Sequence, residues 1–173
     1  RETHLGLLSR PPRQKSIETL LLYSDELVLV LPPTHPWNGT QVSLADLKGQ
    51  PSLLRASGSE TRRRTEIVLR AAGLSPNDLN VVAEIDSPEG IILAAEHGLG
   101  LGFASQVIAR QFAYNGQVGY AQVRLAGPSS EPGFDLTREI FLGRLVAPGI
   151  ERPPSLERLW DFLRLHLEQP GLL

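Results

Sequence analysis

The run Glu26-Leu27-Val28-Leu29-Val30-Leu31-Pro32-Pro33 decides the fold. Leu27 to Leu31 is apolar at every position, without the alternation of a strand that has one wet face. A strand of this kind is buried on both faces, which is the mark of a sheet covered by helices on each side. It ends at Pro32-Pro33, and Thr34-His35-Pro36 follows, where prolines forbid further ladder bonds.

Working outward, strand and helix patterns alternate. His4 to Ser9 reads as a strand stopped by Pro11-Pro12. Leu20 to Tyr23 reads as another, separated from the Leu27 run by a Ser24-Asp25 turn. Ser43 to Leu47 is a short capped helix ended by Gly49. Ser52 to Arg55 is a strand, and a long helix from about Ser59 to Ala72 follows, with Gly73 at its C′ position. Asn80 to Ile85 is a strand. Ser87-Pro88-Glu89 opens a helix with serine as cap and proline at N1, packing through Ile91, Ile92 and Ala95. Leu99 to Ala104, Val118 to Leu125 and Arg138 to Val146 are strands, and Gln106 to Phe112 is a helix. Gly127 to Gly133 is a polar loop. After Pro153-Pro154, the spacing of Leu156, Leu159, Trp160, Leu163 and Leu167 predicts an amphipathic helix. The pattern is that of βαβ units around a mainly parallel sheet.

The most informative local chemistry lies in Ser57-Gly58-Ser59-Glu60-Thr61-Arg62. Ser57 with Glu60 has the spacing of a capping box, and Ile67, Val68, Ala71 and Leu74 mark the inward face of the helix it opens. A helix start rich in backbone N–H groups, hydroxyls and an arginine is a seat for an anion. Ser57, Gly58, Ser59 and Thr61 are therefore candidate anion-binding residues, with Arg62 nearby for charge. Arg62 also has Glu66 four residues on as a helix-surface partner. Ser105 opens a helix just after a strand, where open α/β sheets place ligands. Arg10 ends a strand elsewhere and completes the set.

Composition narrows the remaining classes. The 173 residues carry a formal net charge of −2 and no cysteine, so disulfides, thiolate metal sites and a cysteine nucleophile are excluded. This fits the cytoplasm. A mildly acidic domain is a poor DNA binder by itself. No apolar run approaches the ~20 residues that span a bilayer. The four histidines, His4, His35, His97 and His166, lack paired ligand spacing, so no metal or other cofactor is expected. Gly98-Leu99-Gly100-Leu101-Gly102 follows a helix and opens a strand, the reverse of a dinucleotide fingerprint. Its glycines read as a helix stop and as points of close backbone approach. No base, nucleophile and oxyanion group are set to meet, so an enzyme is not expected.

Taken in order, these segments resemble the effector-binding region of LysR-type transcriptional regulators. The resemblance rests on Glu26 to Pro36 followed by Val42 to Leu47, on Gly58, Ser59, Thr61 and Arg62, and on Asp86-Ser87 with His97 to Gly102. It implies a periplasmic-binding-protein-like fold: two α/β subdomains with mainly parallel sheets, joined by two crossover strands, holding an effector in the cleft. The crossings fall near Leu31-Pro32-Pro33 and Leu136 to Glu139. Residues 1–33 and 136–173 then form a partial regulatory subdomain I, and 34–135 form subdomain II. The family's effector domain begins with two strand–helix units ahead of Arg1, and its DNA-binding winged helix is also absent from this chain. Phe103-Ala104-Ser105, Ser9-Arg10-Pro11-Pro12 and Leu54 to Ser59 are similar to the regulators of carbon-fixation genes. The implied partners are a small anionic metabolite, phosphorylated or carboxylated, and further copies of the chain in a dimer or tetramer. A solute-binding protein of the same fold is the alternative, and a transferase-like enzyme the more remote one.

Overall fold

The computed structural model describes residues 5–125, 136–147, 149 and 151–167. The expected polar loop at Gly127 to Gly133 lies outside them. The chain divides into two compact units, Arg1–Asp25 with Arg138–Leu173, and Glu26–Thr137. The first division falls within one strand, ahead of the Leu31–Pro33 position that the sequence suggested.

Strands β1 (Leu5–Leu8) and β2 (Ile17–Leu31) open the chain, followed by β3 (Gln41–Ser43), β4 (Pro51–Arg55) and helix α1 (Glu60–Ala71). Then come β5 (Asn80–Ile85), α2 (Pro88–Glu96), β6 (Leu101–Ser105), α3 (Gln106–Tyr114), β7 (Gly119–Arg124), β8 (Thr137–Leu145) and α4 (Pro154–Leu167). Leu44–Leu47 and Pro76–Asp78 are single 3-10 turns, each closed by a reciprocal Ser–Asp capping box. Among the described residues, no helix is long and apolar enough to cross a membrane.

In the Glu26–Thr137 unit the strand order is β3-β7-β2-β6-β4-β5. Strands β6, β4 and β5 are mutually parallel, as are β3 and β7, while β2 runs antiparallel to both β6 and β7. Leu27 to Leu31 are all at most 1% exposed. Leu27, Leu29 and Leu31 pack with Leu54, Phe103 and the Val68–Leu69 face of α1. Val28 and Val30 point the other way, onto Ile91, Ile92 and Ala95 of α2 and Ala109 of α3. The strand period of two thus distributes one apolar run between two cores.

The glycine run behaves as its context implied. Gly98 takes φ +74° just past α2. A Cβ on Gly100 would sit 2.7 Å from the Pro51 carbonyl oxygen, and one on Gly102 would sit 2.8 Å from Ile91 and 3.1 Å from Leu53. These positions let β6 lie close against β4 and α2.

Three local expectations change. The Ser24-Asp25 turn does not form, and β2 continues through it. Asp25 is buried because its carboxylate receives Nε and Nη2 of Arg138, each at 2.8 Å. Paired in this way, a turn-prone residue can be held in a strand. The inward face of α1 is set by Thr61, Thr65, Val68 and Leu69, whereas Ile67 is half-buried and Ala71 exposed. Thr65 can face inward because its hydroxyl donates to the Thr61 carbonyl at 2.9 Å. The last helix forms as expected, but Trp160 is its buried anchor and Leu159 is 45% exposed.

In the Arg1–Asp25 and Arg138–Leu173 unit, β1 pairs antiparallel with β8. The Arg144 guanidinium lies 4.4 Å above the Trp160 ring and bonds Glu18 at 2.7 Å and Glu157 at 2.8 Å. This cation ties α4 to β8 and β2. Hydrogen bonding from Arg152, joined by Arg144, holds the Glu157 carboxyl below its ordinary range.

Two outcomes test these pairs. Asp25→Ala removes a buried carboxylate that accepts two hydrogen bonds from the half-buried Arg138 guanidinium and is expected to cost about 2 kcal/mol in denaturant unfolding. A carboxyl whose pKa is depressed on folding stabilises above its unfolded pKa and loses that contribution as pH falls through the folded one. Glu157→Gln should therefore lower the melting temperature at neutral pH, and the gap to wild type should close below the ordinary carboxylate range.

Candidate functional site

Three parallel strands of the Glu26–Thr137 unit end in serine-capped helices. After β4, Ser59 caps α1, and its Oγ accepts the Arg62 N–H at 3.4 Å. After β5, Ser87 caps α2 by accepting the Gly90 N–H at 2.9 Å. After β6, Ser105 caps α3 by accepting the Ile108 N–H at 3.5 Å. Because β6, β4 and β5 are neighbours and parallel, these three helix starts share one edge of the sheet. From adjacent strands, α1 leaves to one face and α3 to the other, as the two separate cores record. Connections that diverge from neighbouring carboxyl ends open a crevice where this class of sheet places ligands.

The loop between β4 and α1 is built for close approach. Gly58 takes φ +91° with nothing within 4 Å of where a Cβ would stand, so its requirement is backbone conformation, not space. This turn also moves the helix start. Ser59, not Ser57, is the cap, and Ser57 lies exposed two residues upstream. Glu60 is consequently the first helical residue and pairs with Arg63 and Arg64 instead of closing a capping box on Ser57. Thr61 and Ser105 are both 5% exposed.

The arginine of the set is differently placed. Arg62 Nε donates to Glu66, and its Nη1 donates to the Arg55 carbonyl at 3.1 Å and to Glu84 at 3.0 Å. Burial opposes its charge, but hydrogen bonds to Glu66 and Glu84 outweigh that and raise its pKa. The helix-surface pairing with Glu66 forms as its spacing suggested.

Ser57, Gly58, Ser59, Thr61, Arg62 and Ser105 thus belong to one compact unit and to one edge of its sheet. Arg10 belongs to the other unit, where it is exposed and helps line a hollow of ≈ 670 Å³ with Leu7 to Arg13. Sequence reasoning passed over three residues at the sheet edge. Ser87 repeats the Ser59 arrangement, and its cap spacing was legible as a helix start alone. Arg55 donates to the carbonyls of Ile85 and Asp86. It is the charged residue that closes an otherwise uncharged strand, which is the signal that could have singled it out. Glu84 is distant in sequence from Arg62 and had no such signal.

Among the described residues, no group of three or more His, Asp or Glu side chains is placed to hold a metal ion. His97 and His166 each bond a carbonyl of their own helix, and His35 Nδ1 accepts the Trp37 N–H at 3.2 Å.

Gly58→Ala and Ser59→Ala separate the backbone and side-chain contributions to this helix start. Each is expected to lower stability by about 1 kcal/mol, the first through its left-handed φ and the second through loss of the cap, as read by denaturant titration.

Comparison with known proteins follows the same lines. The family model described as the LysR substrate binding domain matches residues 1–168. The chain is 28% identical over 153 residues to an uncharacterised HTH-type transcriptional regulator of Methanocaldococcus jannaschii, covering 87% of the chain and 48% of that protein. It is 34% identical over 150 residues to the HTH-type transcriptional regulator CbbR of Cereibacter sphaeroides, covering 86% of the chain and 44% of that protein. The chain thus spans about half the length of these relatives. Among solved structures, the regulatory domain of Synechocystis CcmR in complex with 2-PG is similar with a TM-score of 0.76 at 19% identity, over 99% of this chain and 76% of that one. The effector binding domain of QuiR in complex with shikimate is similar with a TM-score of 0.74 at 15% identity, over 98% of this chain and 74% of that one.

Proposed function

The chain belongs to the LysR substrate-binding domain family, and from that premise we propose that it is the effector-sensing part of a LysR-type transcription regulator responding to a small anionic metabolite. The observation that carries the reading is the shared edge of β6 and β4, where the starts of α3 and α1 diverge to opposite faces. Ser57, Gly58, Ser59, Thr61 and Ser105 provide hydroxyls and main-chain N–H groups there. Helix starts carry partial positive charge, and donors of this kind suit a carboxylate or phosphate. The complexes of similar domains with 2-PG and with shikimate support a small metabolite as the ligand class. A 30% identity over 102 residues to the RuBisCO operon transcriptional regulator of Allochromatium vinosum supports the carbon-fixation type of regulator.

The wider reading follows from the family. The two compact units serve as the two regulatory subdomains, the protein works in the cytoplasm as a homo-oligomer, and DNA is contacted by a separate winged-helix domain. Binding biases the regulator between conformations by its differential affinity for them. The role is sensing, not turnover. Arg10, in the other unit, is a separate candidate ligand.

The test is calorimetric titration of the full-length protein with 2-PG, inorganic phosphate and small dicarboxylates. Saturable binding is expected, and Ser59→Ala/Thr61→Ala should weaken it by about tenfold or more, the scale of lost hydrogen bonds to a charged group. Binding that survives the double substitution unchanged, or that favours an uncharged analogue, would overturn the assignment of an anion to this helix start. Arg10→Ala, measured alongside, decides the role of that residue alone.

A further inference from the structure

Arg62 looks from the sequence like the positive charge that greets an anion, but its guanidinium is already engaged. Its donors reach three elements: α1 through Glu66, β4 through the Arg55 carbonyl and β5 through Glu84. The side chain is 15% exposed, whereas that of Glu84 is 54% exposed. Two carboxylates facing one guanidinium leave little positive potential for a third anion. A planar fork of five N–H donors suits holding several acceptors in fixed geometry.

What Arg62 grips is also informative. Carbonyl oxygens beyond the last ladder bond of a strand need donors, and left open beside a helix start they would repel an anion. The Arg55 carbonyl accepts from Arg62, and the Ile85 and Asp86 carbonyls accept from Arg55. Ala56 N–H also donates to the Ile85 carbonyl at 3.0 Å. The two arginines therefore cover acceptors beside the helix start and fasten the β4–α1 loop to the end of β5.

We infer that Arg62 is a positioning residue and not an anion ligand. With Glu84 it clamps the first turn of α1 to the ends of β4 and β5, fixing where Ser59, Thr61 and the helix-start N–H groups point. The inference rests on the proposed effector seat at α1, and it commits to a sign. A direct ligand would be held back by Glu84, so removing that carboxylate would free Arg62 and tighten binding. A clamp loses its anchor when Glu84 is removed, and binding weakens.

The experiment uses full-length protein carrying Glu84→Gln, Arg62→Gln, both together, and Arg62→Lys. Calorimetry with 2-PG and inorganic phosphate is paired with hydrogen exchange of the amides of residues 60–65 in the absence of ligand. Glu84→Gln is expected to weaken 2-PG binding about threefold to tenfold, and the double variant should cost no more than Arg62→Gln alone, since both remove one coupled interaction. Arg62→Lys keeps the charge but not the fork and should fail to restore affinity. Amides 60–65 should exchange faster in Glu84→Gln and Arg62→Gln, with both proteins still folding cooperatively. Tighter binding in Glu84→Gln, rescue by lysine, or unchanged exchange at 60–65 would each overturn the clamp. Absence of binding by wild type to either probe would count against the effector seat, and the ligand-free exchange result would still decide the clamp.

Discussion

Burial of Leu27 to Leu31 on both faces of β2 is the constraint on which the larger unit depends. A strand with no polar side chain over five positions has no face to give to water. Each of these side chains, fully buried, contributes roughly 1.5–3 kcal/mol relative to exposure. Satisfying both faces requires two apolar layers, and the chain supplies them as α1 on one side and α2 with α3 on the other. Removing either layer would strand half of the run in water. The close glycines of β6 serve the same end, since Gly100 and Gly102 allow the neighbouring strand and helix to approach without a gap.

That layering also produces the candidate site. Once helices must cover both faces, the connections leaving β4 and β6 part to opposite sides, the kind of place where open α/β sheets take ligands. Serine recurs at the starts of α1, α2 and α3 because its hydroxyl satisfies an N–H that the helix leaves unpaired. The arginines of the edge perform a different task. Arg55 and Arg62 donate to the carbonyls of Ile85, Asp86 and Arg55, so these strand-end acceptors do not face the helix starts unpaired. The polarity of the edge is thus a property of the hydrogen-bond network and not of the count of basic residues.

Elements whose evidence is local were legible in the sequence. Pro32-Pro33 ended β2, Ser87-Pro88 opened α2, and Gly73 and Gly98 stopped their helices, because each acts through its own backbone preference. The readings that changed turn on side-chain partners that residue type alone does not announce, whether distant or one turn away. Asp25 looked like a turn residue until Arg138, over a hundred positions away, neutralised it within a strand. Thr65 is polar by composition yet packs inward, because its hydroxyl finds the Thr61 carbonyl one turn earlier. In the candidate site, Ser59, Thr61 and Ser105 were visible as helix-start chemistry, while Arg55 and Glu84 were not, since their importance lies in what they reach across the sheet.

The sequence by itself determined the α/β class, the place of most strands and helices and the absence of cysteine chemistry, which follow from composition and periodicity, and the family, which follows from its ordered motifs. Tertiary structure decided which strands became neighbours, that β2 runs antiparallel to β6 and β7, that the serine-capped helix starts share an edge, and that Arg62 is held by Glu84. The division has a physical reason. Periodicity and capping are settled within a few residues of backbone. Strand order and ion pairing depend instead on which distant segments can bury each other's apolar surface and charge.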